Sequence, residues 1–319
     1  MSLLNVAVWG LGIHAKKRIL PLLFAIDEIE LVGVCSRNRD VVEECADQWN
    51  CCGWTDPEQM LRNNDVDVVY IATPIGIHFA LAKQVLEAGK HAWCEKPVTC
   101  SYADTELLVS IAQAKGKVLA ESFMYLYHPQ FQRVKKFIDD SEGVHSVICR
   151  FGIPTLNNPG FRNDPKLGGG ALWDVGAYTA SAVLSLFPGQ EIEIMYADVI
   201  TKKELQVDSS GRALLRFANG VTAYLEWAVG VAYRNEIDIW AINGSFFTDK
   251  IFSKPKDYQP QYKTRDIEGN ESLATGQQSE QFSNMFRHFI GMINNREKAA
   301  SELENILQRA KLMNNILYF

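Results

Sequence analysis

The feature that most constrains this chain is a glycine turn close to its beginning. A largely apolar run from Leu3 to Trp9 stops at Gly10, Gly12 follows after one residue, and Ala15 comes three positions later. Lys16 to Phe24 then carries a helical pattern. A strand that passes directly into a helix needs backbone freedom at the first small residue and close approach at the second. At the third it needs a side chain small enough for the helix to pack on the strand. The start of such a helix presents unpaired N–H groups and the positive end of its dipole, which suits a phosphate. Gly10-Leu11-Gly12-Ile13-His14-Ala15 therefore reads as the pyrophosphate turn of a dinucleotide-binding unit, with Gly10, Gly12, Ile13 and His14 toward the cofactor.

The segments that follow fit such a unit. Short β-branched runs at Asn5–Trp9, Glu30–Cys35, Val66–Ala72, His91–Cys94 and Val118–Ala120 alternate with helical patterns at Lys16–Phe24, Asp40–Trp49, Pro57–Asn63, His78–Ala88 and Tyr102–Lys115. Strands that are apolar on both faces and separated by helices predict a doubly wound parallel sheet, an α/β Rossmann domain over residues 1–121. After Glu121 the rhythm changes. A helix over Pro129–Ile138, a strand over Val144–Phe151, a loop over Pro154–Gly170 and a helix over Trp173–Leu186 precede longer alternating segments. These are Glu191–Thr201, Arg212–Phe217, Val221–Val229, Glu236–Ile242 and Ser245–Asp249, with hairpin signals at Asn219-Gly220 and Asn243-Gly244. The prediction for 122–319 is an α+β domain with an open-faced, mostly antiparallel sheet, closed by helices at Ser279–Asn294 and Ser301–Tyr318. Lys254–Gln278, polar and rich in Gly and Pro, reads as a surface excursion.

Composition narrows the function classes. A net charge of −6 and no basic stripe beyond Lys16-Lys17-Arg18 argue against a nucleic-acid surface. No apolar stretch reaches the length of a bilayer span, and the first residues lack the basic start of a signal peptide. The seven cysteines show no C-x-x-C pair and no metal-ligand spacing, so no metal is expected, and reduced thiols imply a cytoplasmic location.

The end of the second strand selects the nucleotide. A carboxylate there would bind a ribose 2′-hydroxyl and repel a 2′-phosphate. Here the strand ends in Ser36-Arg37-Asn38-Arg39, with no carboxylate, while Asp40 reads as a helix N-cap. Ser36 can donate a hydrogen bond, and Arg37 can pair with a phosphate or stack on adenine, so NADP(H) is favoured over NAD(H). Thr73-Pro74-Ile75-Gly76-Ile77-His78 opens the loop after the third long strand. Thr73, Pro74 and His78 are candidates for nicotinamide or ribose contact, or else form a plain strand-to-helix turn.

Two constellations carry chemistry. Glu95-Lys96-Pro97 sits at a strand end facing the expected cofactor crevice, so Lys96 can reach a substrate oxygen, with Glu95 beside it and Pro97 a place to expect a cis peptide. Gly168-Gly169-Gly170 removes three side chains in a row just before a helix on which Asp174 and Tyr178 share a face. A carboxylate and a phenol so placed suit proton transfer, or equally a buried helix cap and a core tyrosine. Arg162 is a candidate for contact with a substrate hydroxyl or phosphate, or else is a solvated loop arginine. Tyr125 and His128 open the second domain near the expected cleft as candidates for substrate contact, His128 reading more readily as a structurally satisfied histidine just ahead of Pro129.

With these motifs the chain resembles the glucose–fructose oxidoreductase, inositol dehydrogenase and rhizopine-catabolism (Gfo/Idh/MocA) family over nearly its whole length. The resemblance implies a Rossmann domain, an open-faced sheet domain with the active site in the cleft between them, and hydride transfer between a nicotinamide and a sugar, nucleotide-sugar, polyol or related carbonyl. Lys96 matches the Glu-Lys-Pro lysine of the family and Asp174 its aspartate. Tyr178 stands where many members have His, which resembles the branch of dihydrodiol dehydrogenases, glucose–fructose oxidoreductase and nucleotide-sugar 3-ketoreductases. The implied mechanism has Tyr178 exchanging the hydroxyl proton, Lys96 holding the same oxygen and lowering the phenol pKa, and Asp174 orienting the substrate or Lys96. A hydrolase of the same fold that oxidises its glycoside transiently with bound NAD, and a non-catalytic redox-sensing nucleotide binder, are the alternatives. The Trp and Ile residues on the sheet predict a homo-oligomer, a dimer through the open face.

Overall fold

The computed structural model describes residues 3–202, 204 and 206–319. They form two compact units, the first holding the residues up to Ser122 together with Phe286–Ala310, the second Phe123–Met285 with Lys311–Phe319. The sequence assigns everything from residue 122 onward to one domain, whereas 286–310 packs with the first unit. Its side chains explain why. Phe286 and Phe289 lie against Trp93 at centroid distances of 5.8 and 5.6 Å, and Leu303 and Ile306 enter the core with Val85, Leu86, Leu108 and Leu119.

In the first unit, β1 (Leu4–Trp9), β2 (Ile29–Cys35), β3 (Cys52–Trp54), β4 (Val68–Ile71), β5 (His91–Cys94) and β6 (Leu119–Glu121) form one sheet in the order β3-β2-β1-β4-β5-β6. All its pairings are parallel. A wide turn over Ala15–Ile19 runs into α1 (Leu20–Phe24), followed by α2 (Arg39–Trp49), α3 (Pro57–Arg62), α4 (His78–Glu87) and α5 (Tyr102–Lys115). The five expected strands are present, and β3 is an addition, three residues too short to carry a period. It is held by packing: a Cβ on Gly33 would stand 2.1 Å from the Trp54 ring. The cap of α2 is Asn38, which accepts the Val41 N–H at 3.3 Å, and Asp40, expected as the cap, lies in the first turn.

The second unit has α6 (Pro129–Asp139), β7 (Val144–Ile153), a wide helical turn over Leu172–Gly176 leading into α7 (Ala177–Leu186), then β8 (Ile192–Lys202), β9 (Val207–Phe217), β10 (Thr222–Val229), β11 (Arg234–Ala241), β12 (Gly244–Asp249), β13 (Gln261–Arg265) and β14 (Glu271–Thr275). Their order is β14-β13-β12-β11-β7-β10-β9-β8, antiparallel except where β7 meets β10. The expected hairpin turns form, with Gly220 at φ +87 and Gly244 at φ +155. The stretch 254–278 is not a plain surface excursion, because β13 and β14 pair within it. Its alternation is invisible in the sequence because only Tyr262 turns inward and every residue of β14 is exposed. The chain closes with α8 (Gln281–Ile293) and α9 (Arg296–Leu317), both of which cross from one unit to the other in sequence.

One face of the large sheet buries Val147, Cys149, Phe151, Leu215, Leu225 and Trp227 beneath α7, as period-2 patterning requires. Trp227 is the keystone of that packing. It fills space left by two glycines, since a Cβ on Gly211 would lie 2.3 Å from its ring and one on Gly176 3.1 Å. Gly211→Ala is expected to destabilise the fold by about 1–3 kcal/mol through overpacking. Chemical denaturation checks this, and an unchanged midpoint would contradict the packing described.

Candidate active site

In the first unit the strands end at one level. Trp9 pairs with Cys35 and with Ile71, Ile71 with Cys94, and Cys94 with Glu121. Beyond that line the ladder continues by one bond at each step. Gly10 N–H donates to Cys35 O at 2.9 Å, Ala72 N–H to Trp9 O at 2.8 Å and Glu95 N–H to Ile71 O at 3.0 Å. The residues that follow therefore emerge along one rim at the carboxyl ends of the strands, the position where open parallel sheets bind ligands. The glycine turn, Ser36-Arg37, Thr73-Pro74 and Glu95-Lys96 all lie on it.

Each glycine of the turn has a distinct reason to be there. Gly10 has φ +108, and a Cβ on it would lie 2.8 Å from the Ala72 carbonyl. Gly12 faces open space, with nothing within 4 Å of a would-be Cβ, so a phosphate has room beside its backbone. Ala15 is buried, as helix-on-strand packing demands, and Ile13 stands exposed on the turn. Ser36 is half-buried and Arg37 exposed.

Glu95, just past β5, ties the turn to β4. One carboxylate oxygen, Oε1, accepts from His14 Nε2 at 2.9 Å and from the Tyr70 hydroxyl at 2.5 Å. Burial disfavours charge on His14, but the adjacent carboxylate outweighs it and holds the imidazole above its ordinary pKa. Burial likewise opposes ionisation of Glu95, and the His14 charge and hydrogen bond reverse that, leaving its pKa lowered. Tyr70 is absent from the sequence prediction. Its signal is a hydroxyl inside the fully buried run Val68–Ile71, where a phenol needs a partner.

Of the two readings of His78, its surroundings favour the strand-to-helix turn. It is fully buried, with Nδ1 2.9 Å from Pro97 O and Nε2 2.8 Å from Thr73 O, so both ring nitrogens face backbone carbonyls and the neutral ring donates to one of them. It lies between two rim loops. Lys96 is half-buried, and the Lys96–Pro97 peptide is cis.

In the second unit the triple glycine makes the predicted close approach. A Cβ on Gly169 would lie 2.5 Å from Arg162 O, and one on Gly170, at φ +121, 2.2 Å from Asp208 Oδ1. Asp208, unforeseen from the sequence, accepts the Leu172 N–H at 2.7 Å and so satisfies the start of the helix that carries Asp174 and Tyr178. A lone carboxylate in an otherwise alternating strand was its only signal. Arg162 Nε donates to Asp174 Oδ2 at 2.5 Å, which joins two predicted site residues as an ion pair. Tyr178 is buried among Phe123, Phe151 and Phe252, with its hydroxyl 3.8 Å from the Met124 sulfur.

Tyr125, a candidate for substrate contact, takes a supporting place instead, and His128 takes the structural place that its position ahead of Pro129 favours. Tyr125 is fully buried, its hydroxyl 2.6 Å from Ser181 Oγ, and supports the backbone of the Tyr178 helix. His128 is fully buried and caps α6, its Nδ1 accepting the Gln130 N–H at 2.9 Å. Both are fixed by packing rather than turned to a ligand.

Burial raises the Asp208 carboxyl from an ordinary 3.8 to about 6. The native state therefore holds a proton there that the unfolded chain has already released. The stabilisation linked to that proton is complete below about pH 4 and lost as pH rises through 6. Asp208→Asn, which keeps an acceptor for Leu172, is expected to gain melting temperature relative to the parent as pH goes from 4 to 7. A pH-independent difference would contradict this assignment.

A parallel-sheet unit with a phosphate turn and a rim lysine, followed by an open-sheet unit with an aspartate and tyrosine behind a glycine loop, defines a two-domain nicotinamide oxidoreductase. Comparison with known proteins gives the family. Residues 4–123 match the model described as "Oxidoreductase family, NAD-binding Rossmann fold" and residues 131–247 match "GFO/IDH/MocA C-terminal domain". The chain belongs to this Gfo/Idh/MocA family. A dTDP-3,4-didehydro-2,6-dideoxy-alpha-D-glucose 3-reductase of Saccharopolyspora spinosa is 32% identical over 257 residues, 80% of this chain and 77% of the relative. A protein of the same name from Actinomadura kijaniata is 29% identical over 315 residues, 98% of this chain and 94% of the relative. Among solved structures, KijD10, a 3-ketoreductase from Actinomadura kijaniata in complex with NADP and TDP-benzene, superposes with a TM-score of 0.94 at 28% identity, covering 99% of this chain and 98% of that one. Among the described residues no helix is long and apolar enough to cross a membrane.

Proposed function

We propose that this oxidoreductase interconverts a keto group and a hydroxyl on a sugar with NADP(H), and that the sugar is nucleotide-linked. The observation that carries the reading is the alignment of strand ends, which sets the glycine turn, Ser36-Arg37 and Lys96 on one rim. The nucleotide-sugar assignment draws on the 3-reductases and the TDP-benzene complex among the relatives.

NADP(H) fits the rim. The space beside Gly12 is open where a pyrophosphate would lie, and the end of β2 offers an exposed guanidinium and no carboxylate. The dinucleotide supplies or accepts the hydride when bound. Gly10, Gly12 and His14 hold the pyrophosphate, Ser36 and Arg37 the 2′-phosphate, and Thr73 and Pro74 the nicotinamide end. Lys96 directs its charge at the substrate oxygen and favours developing alkoxide, while the Tyr178 hydroxyl gives or takes the proton of that same oxygen. Asp174, paired with Arg162, orients the substrate hydroxyls.

Arg37→Ala is expected to raise the KM for NADPH by about 10- to 100-fold, the loss of a charge-assisted hydrogen bond, and to leave NADH kinetics nearly unchanged. Assays with dTDP-linked keto sugars and with free sugars, following nicotinamide absorbance with both cofactors, test the reading. Turnover only with unlinked sugars would remove the nucleotide from the proposal, and an equal effect on both cofactors would remove the 2′-phosphate contact.

We also propose a homodimer through the open face of the large sheet, where Trp240, Ile242 and Ile267 lie exposed. Seven unpaired thiols are consistent with a cytoplasmic setting. Light scattering at micromolar concentration is expected to give twice the chain mass, and Trp240→Glu to shift it toward the monomer. A monomeric parent would refute the dimer.

A further inference from the structure

The loop that carries Lys96 is held at both of its following peptides by buried polar groups. Pro97 O lies 2.9 Å from His78 Nδ1, and Val98 N–H donates to Glu121 Oε1 at 2.7 Å. Glu121 ends β6, is 3% exposed, and turns its other oxygen to Arg309 Nε at 2.5 Å. Arg309 comes from α9, 188 residues away in sequence, and is itself 4% exposed. Its Nη2 donates to Glu302 Oε1 at 2.7 Å, and that same oxygen is 3.4 Å from the Glu121 N–H. A carboxylate buried this deeply needs a paired cation, and removing one partner of such a pair leaves an uncompensated charge. Arg309 faces two carboxylates. Burial pushes Glu302 upward in pKa against the opposing pull of Arg309.

We infer that Arg309 is a positioning residue for Lys96, acting through Glu121 and the Val98 N–H. The inference rests on the reading of Lys96 as the cation at the substrate oxygen. Glu121 offers one oxygen to the guanidinium and the other to the peptide two residues past Lys96. Without the guanidinium, one buried Glu121 oxygen would lose its partner, the carboxylate would be free to turn away from the Val98 N–H, and the loop would lose its anchor. A terminal helix outside the contiguous Rossmann sequence thereby fixes the backbone at the reactive rim.

The test compares four variants of the full-length protein by kcat and KM for a keto-sugar substrate, by NADPH affinity from nicotinamide fluorescence, and by melting temperature. Arg309→Met is expected to lower kcat by about 10- to 100-fold, the effect of a misplaced catalytic group, with the Kd for NADPH near the parent value. Arg309→Lys, which restores the charge, is expected to recover part of that loss. Leu303→Ala, on the same helix but in the apolar core, is expected to lower the melting temperature and leave kcat nearly unchanged. Lys96→Ala sets the floor. Equal kcat in Arg309→Met and Leu303→Ala would reduce Arg309 to a structural residue and overturn the inference alone. Parent-like kcat in Lys96→Ala would overturn the functional reading and the inference with it. If Arg309→Met does not fold, Glu121→Gln carries the comparison. It keeps the Arg309–Glu302 pair but must turn an amide N–H toward Val98 or Arg309, so a kcat no lower than that of Leu303→Ala counts against the inference.

Discussion

The register of the parallel sheet is the constraint on which the cofactor half of the site depends. Trp9, Cys35, Ile71, Cys94 and Glu121 stand in line across five strands, and each is followed, after one further ladder bond, by a segment that leaves the sheet. Backbone N–H and C=O groups freed together at one edge make a polar rim on an otherwise apolar sheet. A one-residue slip in β5 would reverse the side chains of Glu95 and Lys96 relative to the sheet and separate Glu95 from His14 and Tyr70. The register is secured by burial, because β1, β4 and β5 are apolar on both faces and their side chains fit only one packing.

Polar anchors refine what the sheet places. On the first unit, Glu95 gathers His14 and Tyr70, His78 gathers Thr73 and Pro97, and Glu121 gathers Val98 and Arg309. On the second, Asp208 holds the start of the Tyr178 helix and Tyr125 supports it from behind through Ser181. Each is a buried or half-buried polar group with a hydrogen-bond partner, and each lies one step behind a residue proposed to meet a ligand. This division of labour separates catalytic side chains that must remain available from neighbours that hold them still.

Much of this was legible in the sequence because its signals are local. The glycine turn, the alternating βαβ pattern, the Asn-Gly hairpins and the triple glycine each depend on a few adjacent residues, and each appears where expected. The misreadings share a different cause. Tyr125 and His78 occur beside the right motifs, yet Tyr125 meets a serine 56 residues away and His78 the carbonyl of Pro97, 19 residues on, whereas the cap that His128 makes two residues along is the kind of local role its place before Pro129 suggests. Glu121, Asp208 and Arg309 went unnoticed because a buried carboxylate or guanidinium looks like a surface charge until the chain folds around it. The β13–β14 hairpin was hidden because neither strand has an apolar face to mark its period.

We propose that the Lys96 ammonium and the Tyr178 hydroxyl serve one substrate oxygen. A double-mutant cycle on NADPH-dependent keto-sugar reduction tests it most directly, comparing Lys96→Ala, Tyr178→Phe and the two combined. Groups acting together on one atom give non-additive losses, so each single variant should fall about 10²- to 10⁴-fold in kcat and the double variant little further. Single losses that simply multiply in the double variant, or a Tyr178→Phe enzyme that turns over like the parent, would contradict it.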